Sequence, residues 1–278
     1  MMRGMVSTTP PELTSAANPR VKAARALRDR RERLRTGLTL IDGARELRRA
    51  LDAGVVVEEA FVCESLLAGP DARAAFDRLR DDRVTVARVT ESVLARLAFG
   101  ERAEGLVAVA RIPSTALADL VPPAAPLLVV IEGVEKPGNL GAVMRSADGA
   151  GADAVVAASP ASDLFNPNAI RASMGTIFAM PLASGPGPEI RARLDAGGIR
   201  LVAARVDGAV PYMDLDLRGP LAIVLGSEAD GLTDAWSGAE VIAVRLPMLG
   251  AADSLNVSIA AAVLLYEARR QRGLPARR

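Results

Sequence analysis

A chain of 278 residues, half of them hydrophobic, carries enough apolar material for two cores of ordinary domain size and too much for a disordered chain. It contains no histidine and one cysteine, which removes histidine general bases, Ser-His-Asp and Cys-His arrangements, HExxH zinc sites and cysteine clusters. The formal net charge is only +1, so any electrostatic preference for a partner must lie in how the charge is distributed.

The first residues, "MMRGMVSTTPPELTS", lack the apolar core of a signal peptide, and no apolar run reaches the roughly 20 residues of a membrane helix. A cytoplasmic protein with no membrane contact is expected. "NPRVKAARALRDRRERLR", residues 18–35, reads as one basic helix with eight basic residues against Asp29 and Glu32. A charge run is ordinarily a solvated face, but an excess of one sign favours an acidic partner, of which nucleic acid is the commonest. Arg25, Arg28, Arg31 and Arg35 fall at near-helical spacing and are candidate phosphate contacts. Aromatic residues make up only 3%, so a stacking platform for bases is poorly supplied and recognition by shape and backbone charge is expected, with affinity falling steeply as salt rises.

A short strand "LTLI", a helix near "GARELRRALDAG", and strands in "VVVEEAFVC", "RVTVARV" and "GLVAVARI" follow, giving a small alternating α/β unit. Cys63 ends one of these strands and reads as a small buried hydrophobe. The Pro- and Ala-rich "IPSTALADLVPPAAP" marks a linker, which sets the expected organisation as 1–112, a linker at 113–126, and 127–278.

Beyond the linker the strands "LLVVIEGV", "DAVVAAS", "IRLVAARV", "LAIVLGSE" and "VIAVRLPM" are continuous apolar runs, the pattern of a parallel sheet covered on both faces by helices. After the first of them, Leu140, Val143, Met144 and Ala147 form one buried helical stripe. "FNPNAIRASMG" supplies a cap at Asn166 and a proline at the first helical position. The last helix is expected from about Ser254, with Leu255, Ile259, Ala262, Val263 and Tyr266 turned to the core.

Three glycine-bearing turns carry the chemistry. In "IEGVEKPGNLGAVMR", residues 131–145, Gly133, Gly138 and Gly141 are spaced for neither a dinucleotide fingerprint nor a P-loop, and a tight turn with close helix packing is their plain explanation. "IVLGSEADGL", residues 223–232, and "RLPMLGAADSLNVSIAAAVLLYEARRQR", residues 245–272, also follow strands, so the three loops are expected to converge on one crevice at the strands' carboxyl ends.

These three stretches, in this order, resemble the three motifs of the SpoU (TrmH) family of RNA 2'-O-ribose methyltransferases in the SPOUT superfamily. The opening "SAANPRVKAARALRDRRERLRTGLTLIDGARELRRAL" is similar to that family's substrate-binding domain, so the resemblance spans nearly the whole chain. Within the family the layout is similar to the 23S ribosomal RNA methyltransferases that confer self-resistance to thiostrepton and avilamycin. The resemblance implies an α/β carboxyl-terminal domain with a deep trefoil knot, an L30e-like amino-terminal domain, S-adenosyl-L-methionine as cofactor, no metal, and a homodimer. Carried over position by position, it places the cofactor at Gly226, Leu246 and Leu255, and catalysis at Arg145, Asn139, Glu228, Ser254 and Asn256. Arg171, in "RASMG", is implied as an RNA backbone contact.

Each residue also has a plainer reading: Arg145 as a surface arginine, Asn139 as a helix cap, Glu228 as a loop carboxylate, Ser254 and Asn256 as caps, Arg171 as a surface charge. A guanidinium is a poor base, which favours Arg145 as the group that orients the ribose hydroxyl and its phosphate; the family resemblance also implies the alternative that Arg145 is the base itself, with a phosphate helping. A transfer RNA methyltransferase, a non-catalytic RNA-binding or ribosome-assembly protein and a nucleotide enzyme of Rossmann type are the alternatives.

Overall fold

The computed structural model describes residues 11–99 and 104–273. Most of the amino-terminal stretch that lacks a signal-peptide core, residues 1–10, lies outside them. The chain separates into two compact units, one ending at Ile112 and the other beginning at Pro113.

The first unit comprises α1 (Pro19–Ala26), α2 (Arg30–Thr36), β1 (Leu38–Asp42), α3 (Ala44–Asp52), β2 (Val57–Val62), α4 (Gly69–Asp81), β3 (Thr85–Arg88), α5 (Glu91–Leu97) and β4 (Leu106–Arg111). Its sheet has the order β1-β4-β2-β3. β4 runs antiparallel to both neighbours, whereas β2 and β3 are parallel and joined through α4. Leu40, Phe61 and Val107 pack with Val21 of α1 and Leu94 of α5, and Cys63 is buried in the same cluster.

The basic run is two helices rather than the single one expected. α1 ends at Ala26, and Asp29 opens α2 by accepting a hydrogen bond from the Arg31 amide at 2.7 Å. A carboxylate at that position satisfies one of the amides a helix start leaves without a partner. Arg33 is 1% exposed and donates to the Leu27 and Arg28 carbonyls at 2.6 and 2.8 Å, which fixes the bend.

The second unit contains β5 (Leu127–Glu132), α6 (Pro137–Ala150), β6 (Ala154–Ala158), α7 (Pro167–Ala172), α8 (Thr176–Ala179), β7 (Leu182–Gly185) and α9 (Gly187–Ala196). It continues with β8 (Arg200–Ala204), β9 (Val210–Pro211), β10 (Leu221–Leu225), β11 (Val241–Arg245) and α10 (Val257–Arg272). Its sheet is wholly parallel, in the order β7-β6-β5-β10-β8-β11-β9. Every residue of β5, β6 and β10 is buried, as their uninterrupted apolar runs require. Residues 113–126 are packed rather than free: Thr115 bonds Ser184 through backbone and hydroxyl, and Leu120 joins the core. Their Pro-rich composition limits regular structure to one 3-10 turn, Leu117–Asp119, without removing contact.

Two helices, α6 and α10, position the site residues. α6 begins at Pro137 with Lys136 as its extended cap residue, so Asn139 lies inside the first turn and is not the helix cap. Pro137 sets this boundary, because its ring fixes a helical φ and its missing N–H would have been unbonded anyway. The Leu140, Val143, Met144 and Ala147 stripe is buried as expected. Asn166 caps α7, which packs on α6, by accepting from the Asn168 amide at 2.9 Å.

α10 begins at Val257 and presents the opposite face to the one expected. Its buried residues are Val257, Ala261, Leu264, Leu265 and Ala268. Leu255, Ile259 and Tyr266, read from the sequence as core, are 39%, 52% and 55% exposed. Both stripes are apolar, so periodicity alone does not fix the phase.

The glycines of α6 differ in what surrounds them. A Cβ on Gly141 would lie 2.5 Å from the Ala169 carbonyl oxygen and 2.6 Å from the Ala172 Cβ, so this glycine lets α7 pack against α6. A Cβ on Gly138 would meet nothing within 4 Å. Gly141→Ala is therefore expected to destabilise the chain by about 1–3 kcal/mol. Gly138→Ala is expected to stabilise it by about 0.5 kcal/mol. Urea unfolding of the two variants checks both signs.

Candidate active site

β8, β10 and β11 are neighbours in the parallel sheet, and the loops leaving their carboxyl ends enclose a cavity of about 730 Å³. The three residues assigned to the cofactor from the sequence, Gly226, Leu246 and Leu255, all line it, as do Glu228, Ser254 and Asn256. The loop after β8, from Arg205 to Asp207, also lines it and was not singled out in the sequence. Leu225, Val244, Met248 and Val257 add apolar wall. Asp230 and Asp253 add carboxylates, whereas the one lining cation, Arg205, is bonded to Asp207 at 2.9 Å. An apolar pocket with excess negative charge suits a ligand that joins a flat heterocycle to a cationic sulfur and ammonium group.

Gly226 has no substitute at its position. A Cβ there would lie 2.2 Å from the Gly231 carbonyl carbon, because Ser227 and Gly231 exchange backbone hydrogen bonds of 3.1 and 3.2 Å to close a tight turn. The far end of this loop is held by Glu132, a buried carboxylate at the end of β5. It accepts from the Thr233 amide at 2.8 Å and the Thr233 hydroxyl at 2.9 Å. Glu132 is a positioning residue that sequence reasoning missed, since its partner is 101 residues away.

At the cavity edge four polar side chains meet. Asn256 donates from Nδ2 to Glu228 Oε1 at 2.5 Å and to Asn139 Oδ1 at 3.2 Å, while Lys136 Nζ donates to Glu228 Oε2 at 2.5 Å. Asn256 simultaneously caps α10, its Oδ1 accepting from the Ser258 amide at 3.0 Å and the Ser258 hydroxyl at 2.6 Å. Cap and site residue are thus one side chain. The structure brings Asn139, Glu228 and Asn256 together and adds Lys136, which was not expected.

Arg145 lies six residues beyond Asn139 on α6, about 9 Å along the axis. Its side chain is exposed and makes no hydrogen bond or ion pair among the described residues. Residues 126–266 match the SpoU rRNA Methylase family, and residues 18–108 match the MRM3-like substrate binding domain. The chain belongs to the SpoU rRNA methylase family. Among its relatives, the 23S rRNA (uridine(2479)-2'-O)-methyltransferase of Streptomyces viridochromogenes is 33% identical over 88% of this chain and 87% of its own. A solved RNA 2'-O ribose methyltransferase is 42% identical over 94% of this chain and 99% of its own, with a TM-score of 0.83. The AdoMet-bound rRNA methyltransferase of Sinorhizobium meliloti is 30% identical over 94% and 97%, with a TM-score of 0.84.

In this SpoU methylase Ser254 lines the cavity without joining the hydrogen bonds of the four-residue cluster. Ser254 is exposed in the loop before α10 and is not that helix's cap. Arg171 is half-buried on α7. The four amino-terminal arginines do not share one helical face: Arg25 is on α1, Arg31 and Arg35 on α2, and Arg28 in the bend. The Arg28 guanidinium donates to the Leu97 and Ala98 carbonyls and lies 4.5 Å from the Phe99 ring centre, an internal tie that competes with phosphate. Arg35 is bonded to Glu32. Arg25 and Arg31 are exposed, with no side-chain partner among the described residues. Among those residues no group of three or more His, Cys, Asp or Glu is placed to hold a metal, and no helix is long and apolar enough to cross a membrane.

The cluster sets a pH dependence. The hydrogen bond from Lys136, then those from Asn139 and Asn256, hold the Glu228 carboxyl below its ordinary value against the opposing effect of burial. The same contact holds Lys136 above its ordinary value. A depressed carboxylate stabilises the arrangement above about pH 4.5 and is lost as pH falls through its lowered value, whereas the lysine contribution persists until pH rises through its raised one. The cluster therefore stays charged across the neutral range, and the chain has no histidine to titrate there. Methylation rate against pH between about 6 and 9 is expected to be flat or rising. A bell-shaped profile centred near neutrality contradicts this.

Proposed function

We propose that the family's activity, methyl transfer to RNA, takes here the form of 2'-O-methylation of a ribose in 23S ribosomal RNA. The observation that carries this reading is the convergence of Gly226, Leu246 and Leu255 on one cavity whose edge is the Lys136–Glu228–Asn256–Asn139 cluster. S-adenosyl-L-methionine, when bound there, supplies an electrophilic methyl group. Gly226, Leu246 and Leu255 would hold it through close backbone approach and apolar contact. Asn139, Glu228 and Asn256 fix the border between cofactor and RNA. Arg145 orients the ribose hydroxyl through its phosphate and stabilises charge developing on the oxygen as its proton leaves. Ser254 is a further polar group beside the reacting hydroxyl, and Arg171 with Arg25 and Arg31 contacts RNA backbone.

The same reading, through the family resemblance, gives the carboxyl-terminal segment a knotted course, a rare exception to unknotted connections. It also makes the active form a homodimer in the cytoplasm. The half-exposed Ile259 and Tyr266 of α10 favour a second copy as their cover.

The test is methylation of total RNA from a strain lacking the gene, with labelled cofactor, followed by mapping of the modified nucleotide. Label on a 23S ribose is expected. Label on a base overturns the 2'-O assignment, and label on transfer RNA overturns the substrate. The antibiotic resistance implied by the sequence resemblance is read in the same strain pair, as growth on ribosome-targeting antibiotics with and without the gene.

A further inference from the structure

Two grooves of the first unit differ in charge balance. The larger, of about 900 Å³, lies between α1, α2 and the sheet and is walled by three ion pairs, Arg20–Glu59, Arg35–Glu32 and Arg111–Glu58. Each of those arginines already faces a carboxylate, so an incoming phosphate has no uncompensated cation to meet.

The second groove, of about 550 Å³, is lined by Glu64, Leu67, Arg73, Phe76, Arg80 and Arg88. Three guanidinium groups against one carboxylate leave two positive charges in excess. Among the described residues only Arg88 of the three is ion-paired, with Glu64 at 2.9 Å. Arg73 makes no side-chain bond among the described residues, and the Arg80 guanidinium lies over the half-buried Phe76 ring, 6.0 Å from its centre. Arg73, Phe76 and Arg80 fall at i, i+3 and i+7 of α4, which places them on one helical face. Glu64 and Leu67 follow β2 and Arg88 ends β3, so the groove borders the carboxyl ends of two parallel strands, a common ligand position in α/β units.

We propose that this groove takes one unpaired nucleotide of the RNA substrate, its base against Phe76 and the Arg80 guanidinium and its flanking phosphate on Arg73. The proposal rests on the RNA methyltransferase function proposed for the chain. Phosphate alone would explain the arginines but not the aromatic wall between them. A duplex keeps its bases stacked and offers no free face, whereas a splayed-out base fits a concavity of nucleotide size. The chain's low aromatic content argues against an extended stacking platform, yet a single ring flanked by cations serves one base.

Fluorescence anisotropy of the full chain with a short labelled single-stranded RNA, and with the duplex of the same sequence, tests the groove. The single strand is expected to bind more tightly. Phe76→Ala should weaken it about fivefold or more, and Phe76→Tyr should restore it. Arg73→Gln should lower the salt slope by about 0.7. Arg20→Gln, in the ion-paired groove, should leave binding unchanged. Wild-type affinity in Phe76→Ala or in Arg73→Gln, or a preference for duplex, overturns the proposal, and the exposed Arg73 variant decides the matter if Phe76→Ala fails to fold. In methylation assays on ribosomal RNA the groove variants should raise KM for RNA while kcat at saturation holds. Absence of any methyl transfer by the wild type would overturn the enzymatic reading, and the anisotropy result would still decide for or against the groove.

Discussion

Arg145→Ala is expected to lower methylation by about a hundred- to a thousandfold with RNA saturating, the scale seen when one preorganised charge-stabilising donor is removed. Folding and cofactor affinity should both hold. The side chain is exposed and makes no hydrogen bond or ion pair among the described residues, and substitutions at such positions usually change stability by no more than about 0.5 kcal/mol. Arg145 is also absent from the lining of the cavity assigned to the cofactor. A selective loss of turnover, with an unchanged melting temperature and an unchanged calorimetric Kd for S-adenosylmethionine, therefore separates a role toward RNA from a structural one. Arg145→Lys should recover only part of the activity, because an ammonium keeps the charge and loses the planar fork that can hold a phosphate and a hydroxyl together. Near-wild-type turnover by Arg145→Ala would remove it from the mechanism, whether as base or as positioning cation.

The parts of this chain legible in its sequence are those where a local pattern has one physical solution. The apolar runs of β5, β6 and β10 admit only strands buried on both faces, and the α6 stripe has a polar face opposite it that fixes its phase. α10 lacks that contrast. Ala261, Leu264, Leu265 and Ala268 form one apolar stripe and Ile259, Val263 and Tyr266 another, so composition predicts a helix and leaves its orientation undetermined. The break in the basic run was legible, because Asp29 followed three residues later by Glu32 has the spacing of a helix start, but eight basic residues at near-helical intervals masked it. Lys136 and Glu132 were not legible. Their partners, Glu228 and Thr233, are 92 and 101 residues away in sequence, and no local spacing announces a contact made through the sheet.

The turn that carries Glu228 is where the largest effect on cofactor binding is expected. Gly226→Ala would place a Cβ 2.2 Å from the Gly231 carbonyl carbon, 2.3 Å from its oxygen and 2.6 Å from the Leu232 amide nitrogen. All three are backbone atoms, so no side chain can rotate away and the 227–231 turn itself must shift. Glu132 holds the far end of that loop at Thr233, and the Lys136, Asn139 and Asn256 contacts hold Glu228 within it, so displacement is resisted at both points. Overpacking of this kind costs about 1–3 kcal/mol of stability. The loop lines the cavity, so S-adenosylmethionine affinity should fall at least about tenfold as well, with the rest of the sheet intact. Gly231→Ala is the discriminating control. Gly231 has φ +70°, which a side chain tolerates only with strain, but its Cβ would meet nothing within 4 Å. It should cost about 1 kcal/mol through the backbone and disturb the cofactor less than Gly226→Ala does. Calorimetric titration of both variants, alongside their melting curves, reads the two effects separately. Equal cofactor affinity in Gly226→Ala and wild type would mean that this turn does not border the cofactor.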